Sequence, residues 1–75
     1  MIKEGDTVTA NVVRIAQYGV YFEHEGATIL VLGPDASSEG DASVEKLFKV
    51  GQQMVVRVGR FNVNDNVYRG FVHSG

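Results

Sequence analysis

Tyr18 and Tyr21 bracket a glycine and a valine in the stretch Tyr18-Gly19-Val20-Tyr21-Phe22. Their chemistry is that of an aromatic face. A phenol ring turned to solvent stacks on a nucleobase for about 1–3 kcal/mol per base, with little regard to which base it is. The competing reading is structural, because tyrosine is a good strand former and pairs across a sheet. Arg14 comes just before the pair, and Arg57, Arg60 and Arg69 follow later. These are the cations suited to meet a phosphate backbone. Arginines on a strand exterior also serve only to keep a barrel solvated and to pair weakly with a nearby acid.

Other chemistries find little support. The 75 residues contain no cysteine, and the two histidines, His24 and His73, lack ligand-like spacing. A metal site is therefore not expected. His24 stands between Glu23 and Glu25, where a pH-tuned contact is conceivable and an incidental surface role is the plainer reading. Asp35, Glu39, Asp41 and Glu45 lack the alternating spacing and central glycine of a calcium loop. No serine sits in an activating context, and no glycine-rich loop has phosphate-cradling spacing. A non-enzyme without a cofactor is expected.

Positioning the tyrosines requires a sheet, and five segments read as strands. The first runs from about Asp6 to Ala16, with Val8, Ala10 and Val12 on one parity and Ile15 on the other. That change of parity predicts a bulge near Val13-Arg14, which bends a long strand. The second, about Gly19 to Glu23, sets Val20 and Phe22 opposite Tyr21. The third is the apolar run from Thr28 to Leu32, whose buried side period alone does not assign. In the fourth, Met54, Val56 and Val58 alternate with Val55, Arg57 and Gly59. The turn formers between Asn62 and Asn66 predict a hairpin into a fifth strand from about Val67 to His73.

The one helical candidate is short, about Ser43 to Phe48. Ser43 would cap it, and Val44, Leu47 and Phe48 would cover one end of the barrel. The stretch from Pro34 to Asp41 reads as a loop. Five strands with a helical turn between the third and fourth make the element list of an all-β, five-stranded antiparallel OB-fold barrel. An SH3-like barrel would carry its helical turn just before the last strand.

A chain of this length is expected to be a single domain, spanning residues 1–75, which buries about 60% of the surface its unfolded form exposes. No apolar run approaches the roughly 20 residues of a membrane helix, and no signal-peptide pattern appears. A cytoplasmic monomer that does not engage membranes is the expectation. Seven basic against nine acidic residues give a net charge of -2. Four of those acids fall between Gly33 and Glu45; without them the balance is seven basic to five acidic. Affinity for a polyanion follows the local field more than the total charge.

Three pieces of the chain, in order, resemble the S1 RNA-binding domain family. Gly5-Asp6-x-Val8 with Val12 and Ile15 looks like its first strand. Tyr18-Gly19-Val20-Tyr21-Phe22 is similar to its aromatic corner, and Val50-Gly51-Gln52-x-Met54-x-Val56-x-Val58 to its fourth strand. The resemblance covers nearly the whole chain. It implies bases stacked on Tyr18 and Tyr21. The family's third-strand histidine is missing from Thr28-Ile29-Leu30-Val31-Leu32. Its aspartate after strand four and the basic residue that follows are replaced by Asn62 and Asn66, which can hydrogen-bond but carry no charge. The closing Ile-x-Leu-Ser is also absent from Val67-Tyr68-Arg69-Gly70-Phe71.

The site expected from residues and resemblance together is Tyr18, Tyr21, Arg14, Arg57, Asn62, Asn66 and Arg69. It would bind single-stranded RNA, weakly when the domain acts alone, because few phosphates are neutralised. The alternative is an S1-like OB domain used for protein–protein contact, with RNA binding weakened or lost. The acidic stretch from Gly33 to Glu45 would then face a basic partner. An oligosaccharide or small ligand is a third possibility, since OB faces serve that purpose too.

Overall fold

The computed structural model describes residues 2–32 and 48–72. Five strands are formed: β1 (Thr7–Ala16), β2 (Gly19–His24), β3 (Ala27–Leu32), β4 (Gln53–Asn62) and β5 (Val67–Val72). They close into a barrel in the order β1-β2-β3-β5-β4, with β4 paired back to β1. This is the five-stranded OB architecture expected from the residues.

Four of the pairings are antiparallel, and β3 pairs with β5 in parallel. The exception is a geometric necessity. Around a closed ring of five, directions cannot alternate at every step, so one neighbouring pair must run the same way. An all-antiparallel barrel was the expectation, and this seam is the refinement to it.

Alternation decides what is inside. Ala10 and Val12 of β1, Val20 and Phe22 of β2, Ile29 and Val31 of β3, and Val56 and Val58 of β4 form the buried core. The apolar run of β3 thus resolves into an inner face of Ile29 and Val31 and an outer face of Thr28, Leu30 and Leu32. Ile2 and Phe48 are buried in the same cluster, and the Phe48 ring meets Phe22 edge-on at 6.3 Å. Burying a side chain of this kind contributes about 1.5–3 kcal/mol. Phe48 was the one residue of the anticipated helical turn that the structure describes. The rest of that turn, the loop from Pro34 to Asp41 and His73 lie outside the described residues.

The connections follow their residue types. Glu25 and Gly26 link β2 to β3, and both hold positive φ, as the two-residue hairpin turns that match strand twist require. Between β4 and β5, the Asn62 side chain organises the turn. Its carbonyl oxygen accepts from the Asn64 amide at 3.0 Å, and its amide donates to Asp65 Oδ2 at 3.0 Å. Asn66 closes the turn in the left-handed region, at φ 57°, a conformation asparagine tolerates.

Candidate nucleic-acid interface

The anticipated bulge exists. β1 pairs with β2 through Val12↔Phe22 and then Arg14↔Tyr21, so Val13 is the extra residue. Its insertion returns Ile15 to the inner side opposite Val20 and leaves Arg14 outside, beside Tyr21. A bulge of this kind re-aims the side chain that follows it. The consequence is direct: the Arg14 guanidinium carbon lies 5.5 Å from the centroid of the Tyr21 ring, within cation–π range.

Tyr18 completes the cluster. It is 52% exposed, and its ring meets Tyr21 edge-to-face, with centroids 6.1 Å apart and planes at 86°. The two hydroxyls are hydrogen-bonded to each other. Gly19 makes this corner possible. A Cβ there would overlap the Val31 carbonyl oxygen and approach Leu32 Cα at 3.0 Å, so the backbones of β2 and β3 come together only without a side chain.

The Tyr21 hydroxyl is held above its ordinary pKa. The hydrogen bond with Tyr18 is the main cause, followed by desolvation and by repulsion from Tyr18 charge. The Arg14 cation works the other way, and Asp65 adds a further rise. Tyr21 is therefore a neutral ring at physiological pH.

Register extends this cluster across the barrel wall. Tyr21 is paired with Leu30, and Leu30 with Arg69. Arg14, Tyr21, Leu30 and Arg69 thus form one row over β1, β2, β3 and β5. Leu30 holds the centre of that row. Nothing in the unbroken apolar run of β3 marked it, because its outward parity is visible only from its neighbours.

The remaining expected site residues divide. Asn62 commits both ends of its side-chain amide to the β4–β5 turn, and Asn66 supplies the left-handed residue of that turn. Arg57 belongs to a different wall. It is paired with Thr7 and Phe71, and it lines a groove of about 440 Å³ with Glu4, Gly5, Val58, Gly59, Phe71 and Val72. None of the tyrosine-side residues lines that groove. His24 is tied to the barrel, with Nδ1 2.8 Å from the Thr9 carbonyl oxygen and Nε2 3.5 Å from Glu25 Oε2. Among the described residues no cluster of three or more metal-ligating side chains occurs.

Comparison with known proteins places this geometry among relatives. The family model described as the S1 RNA binding domain matches residues 2–73. No curated protein sequence matches significantly. Among solved structures, a chain of the a/eIF2alpha–aDim2p–rRNA complex from Pyrococcus horikoshii superposes with a TM-score of 0.83 at 24% identity. That alignment covers 97% of this chain and 45% of that one. GSP13 from Bacillus subtilis aligns with a TM-score of 0.82 at 16% identity, over 96% of this chain and 56% of its own. A protein from Methanocaldococcus jannaschii, MJ1198, gives 0.78 at 18% identity, with 97% and 95% covered. At these identities the likeness is one of fold. This chain spans about half the length of the first and second of these structures.

Proposed function

Because the chain belongs to the S1 RNA binding domain family, we propose that it binds single-stranded RNA on the outer wall of β1, β2, β3 and β5. Bases stack on Tyr21 and Tyr18, and phosphates meet Arg14 and Arg69. Asn62 acts by bracing the β4–β5 turn, and Asn66 by closing it. Arg57, which lines a separate groove with Glu4, is left out of the contact set.

The observation that carries this reading is the Arg14–Tyr21–Tyr18 cluster. It presents an aromatic face already paired with a cation, on an exposed wall. The likeness to a chain from a complex that contains rRNA supports the same reading.

Magnitudes point to modest affinity. Two stacked bases contribute about 2–6 kcal/mol, and two arginines add a salt-dependent increment. Against this stands the loss of translational and rotational freedom, about 4 kcal/mol or more. The surplus is small, so the domain alone is a weak binder. A domain of this strength works best tethered to another binding module, which raises its effective concentration.

The test is a titration of isotope-labelled protein with a short oligouridylate at low salt, following the Tyr18, Gly19 and Tyr21 amide signals. Saturable shifts that weaken with added salt, and that vanish in Tyr21→Ala, are the expected result. Absence of shifts at these amides, or unchanged binding by Tyr21→Ala, overturns the proposal.

A further inference from the structure

The sequence leaves tyrosine as the side chain most open to one-electron oxidation. Cysteine and tryptophan, which also give up a single electron readily, are both absent, and three tyrosines are present. The two methionines answer oxidants differently, by taking up an oxygen atom to become sulfoxides.

The three tyrosines are not equivalent. Tyr68 is half-buried, its ring packs on Phe61 with centroids 4.8 Å apart, and its hydroxyl donates to the Ile2 carbonyl oxygen at 3.3 Å. Tyr18 and Tyr21 instead have each other. Their centroids are 6.1 Å apart and their hydroxyls are hydrogen-bonded. Tyr18 is 52% exposed and Tyr21 partly so, which leaves the pair open to an oxidant in solution.

That contact gathers the reactive positions. A phenoxyl radical carries its unpaired electron on the oxygen and on the ortho and para carbons. The para carbon bears the chain, so new bonds form at the ortho carbons. These flank the carbon that holds the oxygen, and two phenols joined at their hydroxyls therefore bring ortho carbons close together. Coupling inside such a pair is a first-order event, favoured over a collision of two molecules by a large effective concentration.

We propose that Tyr18 and Tyr21 form a cross-linking site, at which a one-electron oxidant builds a dityrosine bridge that shuts the wall to RNA. The oxidant is of the class of a haem peroxidase supplied with hydrogen peroxide. Each phenol gives one electron to it and one proton to water. The two radicals join by a carbon–carbon bond between ortho carbons, and the hydrogens on those carbons move to the oxygens, which restores two phenols. The pair has then lost two hydrogen atoms, and one peroxide has become two waters. The bridge fixes the rings to each other, so they no longer open to receive separate bases. The loss of RNA rests on the RNA reading above; the bridge itself does not.

Dilute protein treated with a haem peroxidase and one equivalent of hydrogen peroxide provides the test. Intact mass, dityrosine fluorescence and peptide mapping are the readouts. The expected product is a monomer lighter by two hydrogen atoms, with Tyr18 joined to Tyr21. It should form equally in Tyr68→Phe and be absent from Tyr18→Phe and Tyr21→Phe. Bridged protein should bind an octauridylate about tenfold more weakly than untreated protein, the scale of one lost stack. Treated Tyr18→Phe should keep the affinity it had before treatment. Coupling only between molecules, or a bridge that survives in Tyr18→Phe, overturns the site. A bridge that leaves RNA affinity unchanged overturns the control of binding, and the RNA reading stands. Untreated protein that fails to bind octauridylate overturns the RNA reading and the control together, while the mass of the product still decides the bridge.

Discussion

Arg14 and Tyr21 are cross-strand partners only because Val13 is bulged out of β1. The guanidinium carbon then rests 5.5 Å from the ring centroid. Arg14 stays exposed beside that ring, so in the proposed binding mode one contact would join a stacking surface to a phosphate-binding cation.

Replacing Arg14 therefore separates the two roles. Arg14→Gln is expected to weaken short RNA by about threefold to tenfold and to lower its salt slope by about 0.7. Folding stability should change by no more than about 1 kcal/mol, the scale of an exposed cation–π pair. Anisotropy at several salt concentrations and urea unfolding supply the two readouts.

Deleting Val13 tests the bulge itself. Without the extra residue the pleat beyond Val12 inverts, which sends Arg14 toward the core and Ile15 outward. Burying an unpaired charge places this among the severe substitutions, at about 4 kcal/mol or more. Loss of a cooperative melting transition is the expected outcome. A deletion variant that melts near the wild type would show that the bulge does not set the register.

Gly19→Ala probes the corner. The added methyl meets backbone of β3, which cannot rotate away, so strands β2 and β3 must part. A cost of about 1–3 kcal/mol is expected, which at this size lowers Tm by about 4–8 °C per kcal/mol. The Tyr18 and Tyr21 ring signals should shift with it.

Tyr21 also predicts a pH profile. Its hydroxyl ionises above the ordinary value of about 10, chiefly through Tyr18. A raised acid pKa means that the folded protein holds the proton more tightly than the unfolded chain does. The associated stability is complete below about pH 10 and is lost as pH climbs through the raised value. RNA binding and this share of stability should both be flat between about pH 6 and 9. In Tyr18→Phe, ring-carbon NMR should report the Tyr21 midpoint moving down toward about 10.

Much of this architecture was legible in the residues, and the gaps have physical causes. The phase change between Val12 and Ile15 disclosed the first bulge because two inward residues on opposite parities leave no other solution. A second irregularity, where β4 and β5 shift register between Val58 and Phe61, left no such trace, because the alternation of β4 simply ends there in mixed residue types. Arg60 stands in the sequence only as one candidate cation among four, and Phe61 and Val63 go unassigned. Arg57 is exposed, as parity predicts, and parity alone does not show that it lines a groove apart from the tyrosines. Asn62 and Asn66 were read for what an amide can bond to; the chain uses Asn62 to brace a turn and Asn66 to close it. The parallel β3–β5 pair follows from counting strands around a ring.

That seam has a consequence for how the molecule assembles. β5 is the strand that joins β3 to β4, and until Val67–Val72 dock, both neighbours expose unpaired backbone. The β3–β5 pair brings together segments far apart along the chain, and non-local pairing of this kind slows folding. Leu30 and Arg69 face each other across that same junction. A strand of nucleotides laid over them would act as a clasp, slowing the reopening of the ring and making the bound protein harder to unravel than the bare one.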